Sequence, residues 1–471
     1  MKPLPLIRYL SDSEVALIHD RSLTLCAEMG MKITYAALLG RLAKAGAIVA
    51  DEVVRFPREM VEAAIEAAPK ELALHGRCGQ VQMAGRGHRD KFPTLHANAV
   101  RMLDHGAGQL RDSTFEDLTS LLKLADSLGT VARVATPVYP WDVPEPLREL
   151  RCVEAMLTHT TKNLIEAPQT VFELDLWCEA LELFAYAPLP EKALVAITIS
   201  PKSPLAISDE SAEILIQCAG RRLPVLCAPC PMAGGTSPYT IAGTVLQQNA
   251  ESLAMVTMVQ LLAEGCPIIY GGAAGPLDMR SGALSYGAQE RNLSLGATMD
   301  LAEHYGFPNY SPAGSVDSPG PDVQIGLEKM ATMLTRVLSP AQMTPSLGAV
   351  YNGLAMSLEQ LLIDCEICEM CLRIASGVEV SDETLALDAI LRVGHAGQFL
   401  MDEHTLDWAR DEEENYVPRL STRAGDAGKP MLESAHEEAQ RLIAEYEPSV
   451  PSQQIDKVRQ WAADKERELA P

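Results

Sequence analysis

Aromatic side chains are scarce in this chain: they make up 5% of 471 residues, with only 7 Phe and 4 Trp. A ring at the end of a predicted strand therefore carries more information than it would in an ordinary protein. Positive charge is scarce as well. Against 63 Asp and Glu stand 39 Lys and Arg, a formal net charge of −24, which counts against nucleic acid and anionic membranes as partners and suits a cationic small molecule. No run of about 20 apolar residues is present to cross a bilayer. The N-terminal stretch lacks the basic, apolar and small-residue succession of an export signal. The expected setting is the cytoplasm, where the 11 cysteines stay reduced. Also missing are a GxGxxG after the first strand, which counts against a doubly wound dinucleotide-binding sheet, and any Ser-His-Asp constellation.

What is present is one unit repeated. Residues 224–253, PVLCAPCPMAGGTSPYTIAGTVLQQNAESL, run from an apolar stretch through a Gly/Pro/Thr/Ser loop straight into a helix. That pattern reads as a parallel βα unit with a ligand at the strand's carboxyl end. Similar runs stand at 131–142, 162–169, 194–204, 267–282, 309–322 and 343–353, each succeeded by a helix-length apolar pattern. With FPTLHANAV (92–100) and a helix at 114–129 as the first, the count reaches eight. The prediction is an α/β fold, a (β/α)8 TIM-type barrel over 91–400 with its site in the loops at the strands' carboxyl ends. Residues 1–90 read as a mainly helical extension, opened by an amphipathic helix at 11–30 capped by Ser11 or Asp12, with a small β region near 71–86. Residues 401–471 read as a charged helical tail, with helices at 433–446 and 452–469, packed on the barrel exterior or on a partner subunit. A homo-oligomer is expected.

Two cysteine clusters invite a metal. Cys365, Cys368 and Cys371 in DCEICEMC lack the fourth cysteine of a bacterial ferredoxin run, Ala375 standing in its place. Spacing by three puts them on one helical face, so core packing is the reading. Cys227 and Cys230 in CAPC flank a strand end, where a zinc or redox pair would fit, yet no HxH or HxC accompanies them. No tightly bound metal is expected.

The stretches PMAGGTSPYTIAGTVLQQNAESLA, IIYGGAAGPLDMRSGALSYGAQE, PDVQIGLEK, SLEQLLIDCEI and VGHAGQFLMDEHTL (393–406) resemble the trimethylamine methyltransferase superfamily. So do LSDSEVALIHDRSLTLCAEMGMKI and VRFPREMVEAAIEAAPKELALHGR nearer the N-terminus, and the similarity covers nearly the whole chain. The resemblance implies a TIM barrel that passes a methyl group from an amine to the cobalt of a separate corrinoid (cobalamin) protein. The best known branch uses pyrrolysine. This chain holds only the twenty standard residues, so it is similar to the non-pyrrolysine branch, whose members demethylate quaternary amines such as glycine betaine, proline betaine and carnitine. A quaternary nitrogen is already cationic, and attack by Co(I) on one methyl carbon expels a neutral amine with no obligatory proton transfer. The protein then has to align the bond, exclude water and admit the corrinoid over the barrel mouth.

Under that resemblance, an aromatic and acidic enclosure for a cation is expected. Tyr139, Trp141, Tyr270, Tyr310 and Tyr351 fall where barrel loops begin. Glu166, directly after the apolar end of its strand, is expected to point inward; it and Glu251 are the candidate catalytic carboxylates, with Asp142 and Asp278 at equivalent places. For a substrate carboxylate Arg280 in LDMRSG is the first choice, followed by His96, Arg101 and loop N–H groups. Gly234, Gly235, Thr236 and Ser237 are expected to face the corrinoid. Three other functions stay open: a Lys202 Schiff-base aldolase or lyase, a zinc-thiolate alkyltransferase on Cys227 and Cys230, and a non-catalytic quaternary-amine-binding protein.

Overall fold

Eight short parallel strands close into a barrel in chain order: β1 (Phe92–Leu95), β2 (Arg133–Val134), β3 (Asn163–Glu166), β4 (Val195–Ile199), β5 (Val225–Cys227), β6 (Ile268–Gly271), β7 (Asn309–Tyr310) and β8 (Met343–Leu347). A helix follows each: α1 (Phe115–Ser127), α2 (Glu145–His159), α3 (Val171–Phe184), α4 (Asp209–Arg221), α5 (Ile241–Leu262), α6 (Gln289–Tyr305), α7 (Val323–Val337) and α8 (Leu358–Ser376). The structure, a computed structural model, describes residues 7–96, 98–184, 191–410, 416–422 and 428–469; Ala97 of the first expected unit and parts of the expected tail lie outside these. The eight expected strands are all present and in the expected order.

Local chemistry accounts for where the helices begin. Thr114, Ser208, Thr240, Asp322 and Ser357 each accept a first-turn N–H of α1, α4, α5, α7 and α8 through a side-chain oxygen. The pleat then sorts the strand residues. Ile165, Leu226 and Ile269 pack inside the barrel, whereas their neighbours Leu164, Cys227 and Tyr270 pack outside, against the helices.

The barrel's foot is plugged. A hairpin, Glu71–His75 paired with Val81–Gly85, sends Leu72, Leu74 and Ala84 into one apolar cluster with Phe92, Ile165, Ala196, Leu226, Ile269 and Met343. The His75 N–H donates to the Ala193 carbonyl just ahead of β4. This hairpin is the small β region expected near 71–86, and it leaves the carboxyl end as the barrel's mouth.

The N-terminal helix Asp12–Glu28 opens on Ser11, whose hydroxyl and the Glu14 carboxylate form a reciprocal capping box. It packs on α5. A sheet of three-residue strands, Met31–Ile33, Ile48–Ala50 and Val53–Arg55, lies beside it, among the short helices Ala36–Lys44 and Arg58–Ala67; strands of three residues carry too little alternation to be read from sequence. The tail lies on the barrel exterior of its own chain. Helix Met431–Ala444 packs on α8 and α1, and helix Ser452–Leu469 on α2 and α3. His436 Nδ1 is 2.7 Å from the buried Glu359 carboxylate of α8, and its ring stacks on His105 at 3.9 Å. Among the described residues no helix is long and apolar enough to cross a membrane.

Candidate active site

The mouth is built at the ends of β5, β6 and β7. Tyr310 ends β7 and packs against the interior cluster. Its ring has room because Gly271 ends the neighbouring strand; a Cβ there would stand 3.0 Å from the Tyr310 ring and 3.1 Å from the Cys227 carbonyl. Arg291, third residue of α6, is 2% exposed, and its guanidinium lies over the Tyr286 ring at 4.9 Å. Gly275 makes room for the arginine stem, which a Cβ would meet at 2.9 Å. Among the described residues no group hydrogen-bonds or ion-pairs with the Arg291 guanidinium, and its Nε is buried without an acceptor. Burial pushes the Arg291 pKa down from the usual guanidinium value, while Cys230, Tyr286, Tyr310 and Asp317 favour its charge. Burial likewise pushes Tyr310 up to about 12.

Asp317 is spoken for: its Oδ1 accepts the Tyr286 N–H at 2.5 Å, and its own N–H donates to Glu328 at 2.9 Å. A second guanidinium, Arg133, is wholly buried in the barrel. Its Nε donates to Asn163 Oδ1 at 2.8 Å, no carboxylate pairs with it among the described residues, and burial pushes its pKa down to about 9. Two arginines without carboxylate partners make the region electropositive in a strongly acidic protein.

Most of the expected site residues lie elsewhere. Glu166 does not point inward. It shares the outward parity of Leu164, accepts the Thr136 hydroxyl at 3.1 Å, and sits near Glu149 of α2; burial and then that second carboxylate push its pKa well above the usual range. Tyr139 belongs to the same outer layer. Tyr270 also faces outward, wholly buried, its hydroxyl donating to Asn249 Oδ1 at 2.6 Å and its ring tilted against Tyr305. Glu251 braces the β4–α4 loop by accepting the Ser203 hydroxyl at 2.7 Å, the Leu205 N–H at 2.9 Å and the Gln247 amide at 3.0 Å. Asp278 and Arg280 share an exposed turn. The Arg280 side chain is 95% exposed, and Asp278 accepts the Arg280 N–H.

Trp141 is exposed with one face under Arg148 at 4.5 Å and its N–H donated to the Val100 carbonyl. Asp142 accepts the first N–H of α1, and Arg101 is exposed. Tyr351 is 38% exposed in the loop after β8. His96, at the end of β1, donates from Nε2 to the Gly353 carbonyl at 2.8 Å; burial pushes its pKa down to about 4, so the ring is neutral and offers Nδ1 as an acceptor. Of the five expected rings, Tyr310 is the one packed against the barrel interior.

Residues 1–470 match the sequence model of the Trimethylamine methyltransferase (MTTB) family. The chain belongs to that family. It is 30% identical over 480 residues to a glycine betaine methyltransferase of Desulfitobacterium hafniense (strain Y51), covering 99% of this chain and 98% of that protein. It is 29% identical over 446 residues to a trimethylamine methyltransferase MttB of Desulfitobacterium hafniense (strain DSM 10664 / DCB-2), covering 93% and 90%. Its fold is similar to that of the Methanosarcina barkeri monomethylamine methyltransferase (MtmB), with a TM-score of 0.54 at 12% identity over 98% of this chain and 89% of that one.

In this MTTB-family barrel the loop 232–237 forms part of the rim. Met232 and Ala233 pair with Gly275 and Pro276, Gly234 and Gly235 are exposed, and Tyr239 and Met279 beside them are 70% and 69% exposed. The loop's hydroxyls serve the loop itself, since Thr236 accepts the Met232 N–H and Ser237 meets Thr244 of α5 at 3.0 Å. Cys227 faces the helices and Cys230 lies beside Arg291 and Tyr286; Cys365, Cys368 and Cys371 are buried in the core. Among the described residues the one His/Cys/Asp/Glu trio whose ligand atoms lie within 4.8 Å of one another is His105, Glu359 and His436. Lys202 is exposed, its backbone paired with Ala206 in a tight turn.

Sequence reading missed Arg291, Tyr286 and Arg133. The signal that could have found Arg291 is its place in the first turn after the Gly-rich β6–α6 loop, where a helix start overhangs a barrel mouth. Since Tyr270 is a core residue, Tyr270→Phe leaves Asn249 Oδ1 short of its best donor and lowers stability by about 1–3 kcal/mol, with kcat/KM unchanged. Denaturant midpoints alongside steady-state kinetics check this; a tenfold loss of kcat/KM in a protein of unaltered stability would return Tyr270 to the site.

Proposed function

We propose that this MTTB-family enzyme moves a methyl group from a quaternary amine that carries a carboxylate, glycine betaine first among them, to Co(I) of a separate corrinoid protein, releasing the tertiary amine. The observation that carries this reading is Arg291, a buried guanidinium at the barrel mouth with no hydrogen-bond or ion-pair partner among the described residues. Such a group is costly unless a ligand completes it, and a carboxylate matches its fork. With the carboxylate on Arg291, whose guanidinium covers the Tyr286 ring, the trimethylammonium head lies against Tyr310, whose ring face attracts a cation that cannot hydrogen-bond. Trimethylamine has no carboxylate, and its ammonium form would stand beside an uncompensated guanidinium.

The nitrogen keeps the electron pair of its broken N–CH3 bond and leaves neutral, while the methyl carbon gains its new bond from the electron pair of Co(I). The chain's own task is binding, orientation and exclusion of water. The exposed Gly234–Gly235 backbone with Tyr239 and Met279 offers the corrinoid partner a flat, largely apolar rim. We place the enzyme in the cytoplasm, in keeping with its unpaired cysteines, and infer that it works as a homo-oligomer.

With glycine betaine and chemically reduced cobalamin, the purified protein is expected to convert the Co(I) spectrum to that of the methylated form, and trimethylamine to react at least tenfold more slowly. A panel of quaternary amines that leaves Co(I) unchanged, with a corrinoid protein supplied, defeats the proposal. Choline consumed as well as betaine would defeat the role of Arg291 alone.

A further inference from the structure

Three segments far apart in the chain meet where α8 begins. His105 stands in the turn of a hairpin, Arg101–Leu103 paired with Leu110–Asp112, whose first strand also pairs with Ala355–Met356 just ahead of α8. Glu359 is the second residue of α8, and His436 lies on the tail helix Met431–Ala444. The carboxylate is fixed from within its own helix start: Glu359 Oε2 accepts the Ser357 hydroxyl at 2.8 Å, and the side chain is 5% exposed. Its other oxygen, Oε1, faces the histidines, with His436 Nδ1 at 2.7 Å and His105 Nδ1 at 3.7 Å. The first distance is a hydrogen bond, and the second is too long for one. Among the described residues the His105 ring makes no hydrogen bond. It is held by stacking on His436 at 3.9 Å and by its turn, where Asp104 accepts the Ala107 N–H at 2.7 Å.

A hydrogen-bonded latch between tail and barrel needs only His436 and Glu359. A second imidazole that brings Nδ1 to the same oxygen, with no hydrogen bond to gain, adds a ligand and not a latch. We propose that His105 Nδ1, His436 Nδ1 and Glu359 Oε1 bind Zn²⁺, and that the ion fastens the hairpin and the tail helix to α8. The donors select the metal: two imidazole nitrogens and a carboxylate oxygen suit zinc, whereas calcium takes about six to eight oxygens. The three ligand atoms lie within 4.8 Å of one another. Zinc bound at about 2.0–2.1 Å keeps tetrahedral ligands about 3.3 Å apart, so the two contacts to Oε1 adjust by roughly half an ångström each. Rings only 8° from parallel cannot both aim in-plane lone pairs at one ion, so binding turns His105 out of the stack. Its side chain, 29% exposed, is free to turn, and with His436 at 35% the site opens to water as the fourth ligand. The ion takes the place of the Nδ1 proton on His436, which moves to Nε2 in the neutral ring. Ser357 becomes the outer partner that orients the ligating carboxylate.

The test uses the full chain and needs neither substrate nor corrinoid. Protein stripped with a chelator should take up one equivalent of Zn²⁺ by calorimetry and give no heat with Mg²⁺. Co²⁺ in its place should show the visible bands of a tetrahedral ion without the sulfur-to-metal charge-transfer band of a cysteine site. His105→Ala and His436→Ala should each weaken zinc binding by about 100-fold or more, beyond what loss of an outer partner costs, and stripped His105→Ala should keep the thermal midpoint of the stripped wild type. Zinc should raise the wild-type midpoint and slow amide exchange of residues 431–444, and do neither in His105→Ala. A wild type that takes up no zinc, or variants that bind it as tightly as the wild type, overturns the site. A charge-transfer band gives the ion to cysteines and likewise overturns it. Zinc bound at the three residues with exchange of 431–444 unchanged overturns the fastening role.

Discussion

Arg291→Met lowers kcat/KM for glycine betaine by a factor on the order of 10² to 10³, the loss expected when one partner of a desolvated charge pair worth about 2–5 kcal/mol is removed. The loss falls mainly on KM, because the substrate carboxylate carries the same charge in the ground and transition states and its binding is therefore uniform. Any slow demethylation of trimethylamine by the wild type is unchanged or improved in the variant, since the substitution removes a cation from beside a cationic substrate. Arg291→Lys recovers only part of the loss, because an ammonium cannot reproduce the planar fork or the stacking on Tyr286. Initial rates of Co(I) consumption against substrate concentration decide the matter. A betaine kcat/KM within threefold of wild type would remove Arg291 from carboxylate binding. A thermal melt of each variant separates this from loss of packing.

The largest effect on stability is expected at Asp364. Its side chain and that of Lys329 are fully buried and paired at 2.6 Å. Around the pair, Lys329 also donates to the Gly314 carbonyl at 2.8 Å, while Asp364 accepts the Gly348 N–H at 2.7 Å and the Gln360 amide at 2.7 Å. One pair therefore joins α7 and α8 to the loops after β7 and β8. Burial pushes the Lys329 pKa down and the Asp364 pKa up, each opposed by the partner's charge. Asp364→Ala strands an ammonium in the core and costs about 3–5 kcal/mol of unfolding free energy. The double variant Lys329→Met, Asp364→Leu recovers most of that, since no buried charge is then left alone. Urea unfolding of the three proteins measures both quantities. A single-variant cost below about 1 kcal/mol would mean that water reaches the pair.

The fold was legible because hydrophobic periodicity is local. Apolar runs ending in Gly and Pro, each followed by a helix-length pattern, are visible without knowing what packs on what, and the expected units correspond to the eight observed strands. The first cap was legible for the same reason: Ser11 lies where the first apolar turn begins. The site was far less so. Strand-end position singled out Tyr310, which packs against the barrel interior, and equally Glu166 and Tyr270, which the pleat turns to the other side.

What the sequence by itself determined is the count, order and start of the βα units and the motifs of the MTTB family. What only the tertiary structure decided is which face of each strand looks into the barrel, and which helix start overhangs the mouth. In a parallel barrel both strand faces are buried, one by the core and one by the helices. Neighbours such as Leu164 and Ile165, or Ile269 and Tyr270, are then both buried, and no alternation of apolar with polar marks the inner one. Closure of the barrel, which depends on all eight strands at once, makes that choice, and in making it turns Glu166 outward and buries Arg291 at the mouth.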